Sequence, residues 1–274
     1  MLTATKLRAF PNDIPYDATS VHLDDNSLVV LSAVSPALRH LSVQRNRLTC
    51  VSGLGDAARL VSLTLSHNRI GHLAGLPESP ELSSTLVELE LSNNLLRSSN
   101  LSGLRGLRAL QTLDLSHNSL DAMDIVGTLG MESLQQLNLA HNRISVLEGI
   151  ETLKALERFG LGHNRVTRVS LKPGVRWRAL KTLDLVQNDF RRVHTFLRQC
   201  ELLLNCVQSL DTSGNPMHLR CGSIDGTTAS AHGTDEANTM LAARRLSYRS
   251  AIMNAAGAQL RVLDGEDITD SSVS

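Results

Sequence analysis

Aromatic side chains are scarce in this sequence. Its 274 residues include 4 Phe, 2 Tyr and 1 Trp, whereas leucine occurs 49 times. Ordinary protein cores take much of their buried area from aromatic side chains. A core built almost wholly from leucine therefore indicates one small packing unit that is repeated many times.

Net charge and long apolar runs are also lacking. The 27 basic and 27 acidic residues cancel, and 42% of the chain is hydrophobic, which is too much for a disordered chain. Zero net charge disfavours bulk nucleic-acid binding. No run of about 18 uncharged apolar residues occurs, so no membrane span is expected. Lys6 and Arg8 stand where a secretory signal would need an apolar stretch.

Cysteine is sparse and shows no metal-binding or redox spacing. The four cysteines lie far apart or six residues apart, and none forms a C-x-x-C motif: Cys50, Cys200, Cys206 and Cys221. Such cysteines are expected to be free thiols in a reducing compartment. We therefore expect a cytoplasmic location.

The pattern L-x-x-L-x-L-x-x-N-x-L recurs along the chain. It begins at Leu38 (LRHLSVQRNRL) and returns from Leu60, Leu86, Leu110, Leu134, Leu156 and Leu180, with weaker copies from Ala18 and Val207. Successive central asparagines lie 20 to 27 residues apart. This pattern and period are those of leucine-rich repeats.

The spacing within each copy predicts the fold. Leucines at the fourth and sixth positions alternate with polar residues, so a short strand points its leucines inward, and stacked strands share one core. We expect an α/β solenoid, a leucine-rich-repeat horseshoe. Its concave parallel β-sheet would have about nine strands plus a cap strand, and its convex side would consist of short helices and turns. The segment Val193 to Asn205 is the best patterned for a helix.

The chain divides into five predicted segments. Residues 1–17 form an N-terminal cap and 18–217 about nine repeats. Residues 218–240 form a flexible loop rich in small and polar residues, 241–269 a C-terminal cap, and 270–274 a tail. The central asparagines are interpreted as structural, because each amide can satisfy backbone groups of its own coil and of the next. This asparagine ladder comprises Asn46, Asn68, Asn94, Asn118, Asn142, Asn164 and Asn188.

The end of the chain resembles a known group of repeat proteins. Asn215-Pro216, Tyr248-Arg249 and the closing run Leu260 to Gly265 are similar to the C-terminal cap of intracellular eukaryotic leucine-rich-repeat proteins. That group includes type-1 phosphatase regulators, the spliceosomal A-prime subunit and axonemal proteins of cilia and flagella. The resemblance covers about residues 18–269 and implies a protein-binding role within a larger assembly.

The outward positions of the strands predict a binding face. We expect a protein partner to meet the concave side of the sheet. Glu88, Glu90 and Asp114 form an acidic cluster on adjacent strands, which favours a basic partner because like charges side by side are destabilising. The alternative is a solvated face with arginine neighbours. The predicted partner-binding residues are His40, Ser62, Thr64, Glu88, Glu90, Asp114, Gln136, Asn138, Arg158, Thr182 and Asp184.

A second set of residues predicts a basic rim, which could meet phosphate or an acidic protein. Stacking platforms for single-stranded nucleic acid are nearly absent, so acidic-protein contact, such as with tubulin tails, is favoured over RNA. Nucleic acid is expected only indirectly, through a partner. The rim residues are Arg45, Arg47, Arg69, Arg143, Arg165 and Arg191.

The eighth position of the repeat carries His67, His117, His141 and His163. Such a series could bind metal or sense pH. However, the sequence Ser-His-Asn is common at this position in such repeats, and no complete set of four zinc ligands is evident. We expect neither a metal nor a cofactor. Trp177 is interpreted as packed with its indole donor near the surface, or alternatively as an interface anchor.

Catalytic signatures are missing from the sequence, including G-x-x-x-x-G-K-[ST], H-E-x-x-H and G-x-S-x-G. We therefore expect a non-enzymatic scaffold or adaptor with no membrane contact and no small-molecule substrate. A cytoskeletal or axonemal assembly is the leading hypothesis. A nuclear ribonucleoprotein scaffold is the second hypothesis and a type-1 phosphatase regulatory subunit is the third.

Overall fold

The computed structural model of the protein describes residues 6–12, 14–32, 34–73, 76, 81–123, 130–172, 177–217 and 247–268. The predicted loop 218–240, the tail 270–274 and residues 241–246 and 269 of the predicted C-terminal cap lie outside these residues, as does Cys221.

Within this part of the chain, short strands dominate. In chain order they are β1 (Ser20–His22), β2 (His40–Ser42), β3 (Ser62–Thr64), β4 (Glu88–Glu90), β5 (Thr112–Asp114), β6 (Gln136–Asn138), β7 (Val146–Glu148), β8 (Arg158–Gly160), β9 (Arg168–Ser170), β10 (Thr182–Asp184), β11 (Ser209–Asp211), β12 (Val262–Leu263) and β13 (Glu266–Asp267).

Eleven of these strands form one sheet in the order β1-β2-β3-β4-β5-β6-β8-β10-β11-β12-β13. The first nine are the strands of the nine repeats, and all of them pair in parallel. β12 adds a parallel cap strand to β11, and β13 returns antiparallel. The predicted horseshoe with about nine strands and a cap strand is confirmed.

The middle residue of each strand points into a leucine core. Leu89, Leu113 and Leu137 pair in register on adjacent strands, and each is at most 1% exposed. The flanking residues of the same strands face outward, as expected from the alternation of side chains along a strand. The excess of leucine thus fills one continuous core that runs the length of the repeats.

A sharp turn follows each strand. The residue before each central asparagine from Asn26 to Asn188 has a left-handed backbone, with φ between 47° and 59°: Asp25, Arg45, His67, Asn93, His117, His141, His163 and Gln187. Asn, Asp and His are enriched several-fold in this conformation among residues other than glycine. The left-handed backbone therefore explains why histidine recurs at the eighth position of the repeat.

The central asparagines connect successive coils. Asn142 Oδ1 accepts from the Leu120 backbone N–H at 3.0 Å, and its amide nitrogen donates to the Leu115 carbonyl at 3.0 Å, both in the preceding coil. The same nitrogen lies 3.0 Å from the Leu139 carbonyl in its own coil. Equivalent bonds recur at Asn46, Asn68, Asn94, Asn118, Asn164 and Asn188.

The convex side is built from short elements. It includes α1 (Leu82–Thr85), a 3₁₀ helix at Ser98–Leu104 and α2 (Val193–Leu204), which confirms the predicted helix. A feature that the sequence analysis missed is a second parallel sheet, in which β7 pairs with β9. α2 lies against β9, where the Val169 N–H donates to Gln199 Oε1 at 3.1 Å.

Both ends of the core are covered. At the first coil, Phe10 is buried and the Leu7 N–H donates to Asn26 Oδ1 at 2.9 Å. At the last coil, the helical residues 247–256, here called α3, place Tyr248 in the core. Its hydroxyl bonds to the Thr212 hydroxyl, and the Thr212 N–H donates to Asp264 Oδ1 at 2.8 Å. A second 3₁₀ helix, Gly257–Gln259, leads into β12.

Trp177 is 0% exposed, and its indole N–H donates to the Ile150 carbonyl at 3.2 Å. The prediction that the ring is packed is confirmed, whereas the predicted surface position of the indole donor and the alternative of an interface anchor are wrong, because the core encloses the donor as well. The sequence around a tryptophan at the boundary of an irregular segment does not show whether its indole donor is enclosed by the core or lies near the surface.

Candidate partner-binding site

The concave face consists of two rows of outward side chains, one on each side of the buried central residue. The first row runs from Ser62 through Glu88, Thr112, Gln136, Arg158 and Thr182. The second runs from Thr64 through Glu90, Asp114, Asn138, Gly160 and Asp184. Together with His40 on β2, every residue predicted for this face lies on a concave strand.

Three carboxylates of the acidic cluster (Glu88, Glu90 and Asp114) lie together. Glu90 and Asp114 face each other in register on β4 and β5, and Glu88 shares the outward face of β4. Partial burial of Glu90, together with the charges of Asp114 and Glu88, raises the pKa of the Glu90 carboxyl above its usual value. Among the described residues, neither Glu88 nor Glu90 forms an ion pair. The cluster therefore keeps a negative potential at the surface.

Several predicted contact residues also shape the turn after the strand. Asp114 Oδ1 accepts from the Ser116 N–H at 2.8 Å, and Asp184 Oδ1 accepts from the Val186 N–H at 2.9 Å. Asn138 repeats this bond to its own turn and donates to Asp114 Oδ2 at 3.1 Å. Each of these side chains thus has one oxygen engaged by the backbone and keeps only part of its hydrogen-bonding capacity for a partner.

Two glycines, one on β8 and one in the turn after it, lie close to polar side chains of the second row. A Cβ at Gly160 would lie 3.1 Å from Asn138 Oδ1, and one at Gly162 would lie 3.0 Å from both carboxylate oxygens of Asp184. These glycines leave room for the two side chains. Asp211, in register with Asp184, adds a further carboxylate that the sequence analysis missed. The sequence Ser-Leu-Asp in the weak ninth copy matches Thr-Leu-Asp on β10, and this match is the signal that could have identified Asp211.

Two of the six arginines predicted for the basic rim form ion pairs. Arg45 donates two bonds to Asp25, at 2.6 and 2.8 Å, and Arg191 pairs with Asp189 at 3.0 Å. Each of these two predicted rim arginines thus has an acidic side chain beside it. The remaining four are exposed and form no ion pair with any described acid: Arg47, Arg69, Arg143 and Arg165.

Three of the four histidines stack. The rings of His117 and His141 have centroids 4.0 Å apart at an interplanar angle of 11°, and His141 and His163 repeat the same geometry. His67 stands apart, since Asn93 occupies the intervening coil. Desolvation and the neighbouring charges of His117 and His163 lower the pKa of His141, partly opposed by Asp184. The three residues are called the histidine stack below.

Within the described ranges, no group of three or more His, Cys, Asp or Glu side chains comes together in a way that could hold a metal ion. Cys50, Cys200 and Cys206 are free thiols. Among these same residues, no helix is long and apolar enough to cross a membrane.

Comparison with known proteins agrees with this geometry. The profile of the family Leucine Rich Repeat matches residues 109–130. Internalin C2 from Listeria monocytogenes aligns over 65% of this chain and 75% of its own, with a TM-score of 0.54 and 18% identity. The fold is a leucine-rich-repeat solenoid. A chain of an octameric complex of latrophilin 3, Unc5D and FLRT2, in which FLRT2 contributes leucine-rich repeats, aligns over 77% of this solenoid and 72% of its own length, with a TM-score of 0.57 and 22% identity.

A curated relative is the platelet glycoprotein Ib alpha chain of Mus musculus. It is 36% identical over 112 residues, which are 39% of this solenoid and 15% of the mouse protein. The solenoid thus corresponds to a small part of that protein.

Proposed function

We propose that the solenoid is a non-enzymatic scaffold that docks a basic segment of a partner protein on its concave face. The observation that carries this proposal is the acidic cluster. Glu90 and Asp114 face each other on adjacent strands, and the pKa of Glu90 is raised by burial and by its two acidic neighbours. Like charges placed directly opposite destabilise a sheet. Cationic side chains of a partner would relieve this repulsion.

The shape of the face suits a protein ligand. Nine parallel strands about 4.8 Å apart give a surface roughly 40 Å long. A standard protein interface covers about 800 Å² on each partner, which a face of this length can supply. The polar, hydrogen-bonding side chains of both rows would provide specificity, since charged and polar complementarity selects partners and sets register.

Charge reversal tests the concave face. Glu88→Lys with Glu90→Lys leaves Asp114 in place, because the latter also supports its own turn. Partners recovered from a lysate by the native chain are first identified and then purified. The double variant is expected to bind the basic partner at least about tenfold more weakly. Glu148→Lys, on β7 of the second sheet, is the matched control and should bind as the native chain does. Equal binding by the double variant would refute the proposed site.

For the assembly, the proposal favours a cytoskeletal or axonemal complex in the cytoplasm, cilium or flagellum. The resemblance of Tyr248-Arg249 and of Leu260 to Gly265 to the caps of intracellular repeat proteins supports it, and free thiols are typical of a reducing compartment. A nuclear ribonucleoprotein scaffold and a type-1 phosphatase regulatory subunit share the same resemblance. Localising a tagged chain separates these candidates, since accumulation in the nucleus or diffuse cytoplasmic staining would contradict an axonemal role.

A further inference from the structure

We propose that the histidine stack, together with Arg143 and Arg165, is a second docking surface, which takes an acidic polypeptide segment and binds protons as it does so. It lies in the turns that follow β5, β6 and β8, whereas the acidic cluster lies on β4 and β5. The proposal concerns different residues from the concave site and can fail or succeed independently of it.

The backbone holds the stack in place. His117, His141 and His163 all have left-handed backbones, with φ of 53° to 54°. The His117 N–H donates to the Ala140 carbonyl at 2.9 Å, and the His141 N–H donates to the Gly162 carbonyl at 2.9 Å. Each following asparagine ties its coil to the preceding one. Three imidazoles are therefore presented as a fixed array.

The charges around the stack favour an anion. Three charged or titratable neighbours affect the pKa of His141: His117 and His163 lower it, and Asp184 on β10 raises it. Two residues after His141 and His163 come Arg143 and Arg165, both exposed and without an ion pair among the described acids. Protonation of His141 would add a positive charge to turns that already carry Arg143 and Arg165, and like charges repel each other. A bound anionic segment would offset that repulsion.

The stacking geometry leaves no ring face of the central histidine open to a nucleic-acid base. His141 is covered on one ring face by His117 and on the other by His163, so a base cannot stack on it. Bases on single strands bind largely by stacking on exposed aromatic faces. The ring edges, which carry the N–H donors, remain available on this exposed residue. Imidazolium edges and guanidinium groups form charge-assisted hydrogen bonds with carboxylates.

The test uses a fluorescent polyglutamate peptide and the purified chain, with anisotropy as the readout. Linkage requires that binding which takes up protons tightens as the pH falls. Binding is compared at two pH values, one about one unit above and the other about half a unit below the usual histidine pKa of about 6.5. We expect roughly tenfold tighter binding at the lower pH. A polyglutamine peptide of equal length should not bind.

Variants locate the effect. Replacing the three stacked histidines by asparagine keeps a residue that the repeat already accepts in the same left-handed position, at Asn93. This variant should lose the pH dependence. Arg143→Gln with Arg165→Gln should weaken binding about fivefold or more at both pH values. The matched control, Arg47→Gln with Arg69→Gln, removes two unpaired rim arginines away from the stack and should change binding less than about twofold.

Three results would overturn the proposal. The first is polyglutamate binding that does not change with pH in the native chain. The second is an unchanged pH dependence in the triple asparagine variant. The third is tighter binding of a single-stranded RNA oligonucleotide through the same histidines, which would assign the surface to nucleic acid instead. Retained binding of the concave partner by the triple variant would show that the two surfaces are separate.

Discussion

The imidazole of His117 lies almost parallel to that of His141, with 4.0 Å between the ring centroids. The contact follows from the turn after each strand, which places the eighth residue of neighbouring coils side by side in the same left-handed conformation. His163 extends the stack on the other side of His141. Two neutral rings tolerate this distance, whereas two protonated rings repel each other.

The free energy of unfolding is expected to decrease as the pH is lowered through the range in which histidine titrates. Because the pKa of His141 is lowered, the folded chain binds fewer protons than the unfolded chain just below the unfolded value of 6.5. The free energy of unfolding therefore decreases as the pH falls through that value and is fully retained above it. His141→Asn should reduce this slope in denaturant titrations at several pH values. His40→Asn, outside the stack, controls for the loss of one histidine, and a native slope in His141→Asn would contradict the prediction.

Asn142→Ala is expected to lower the free energy of unfolding by about 3 kcal/mol, since it leaves buried backbone groups of two coils unsatisfied. Asn26→Ala is the matched comparison at the first coil. Its side chain is only half-buried and bonds to Leu7, Leu23 and Asp24, so water can replace part of these bonds. We expect a loss of about 1 kcal/mol there. Chemical denaturation measures both, and equal losses would mean that the ladder does not depend on burial.

Gly103→Ala should be strongly destabilising. A Cβ at this position would lie 2.1 Å from the Leu73 carbonyl oxygen, which belongs to the backbone of the preceding coil. The coils would have to separate, at a cost of about 2 kcal/mol or more. Gly55→Ala is the control, because a Cβ there has no neighbour within 4 Å. Its midpoint of thermal unfolding should stay close to native, and a native midpoint for Gly103→Ala would disprove the close approach.

The cap depends on a buried tyrosine. Burial and the nearby charge of Asp264 raise the pKa of Tyr248, so its hydroxyl stays protonated next to Thr212. Tyr248→Phe should cost about 1 kcal/mol and Tyr248→Ala about 4 kcal/mol, the latter because it also opens a cavity. Hydrogen exchange should speed up most in β12. Arg249→Gln removes only an ion pair with the exposed Glu266 and should change stability little, so an equal loss there would argue against this account.

The acidic cluster is expected to lower the free energy of unfolding at neutral pH. The raised pKa of Glu90 means that its charged form is disfavoured in the folded chain, and this penalty is complete above the raised value and absent below the unfolded value of 4.5. Glu90→Gln should therefore unfold at a slightly higher denaturant concentration at neutral pH and lose this advantage in acid. Glu132→Gln, an exposed position, is the comparison. A less stable Glu90→Gln would contradict the sign of this effect.

The spacing of Leu, Asn and polar residues was sufficient to predict the horseshoe and the nine repeat strands. These features depend on local alternation and on one recurring amide, both of which are visible in a single copy. The concave residues could be predicted for the same reason, since a strand presents every second side chain to one face. The pairing of β7 with β9 could not be predicted from the sequence, because convex segments have no shared pattern from one repeat to the next.

The sequence by itself determined which side chains point inward and which point outward, because that choice is local. Only the tertiary structure decided what the outward residues do. Arg45, in the turn after β2, donates two hydrogen bonds to Asp25 of the neighbouring coil, whereas Arg143, in the turn after β6, forms no ion pair with any described acid. Contacts between coils depend on how adjacent turns align in space, and the variable segments between copies hide that alignment in the linear sequence.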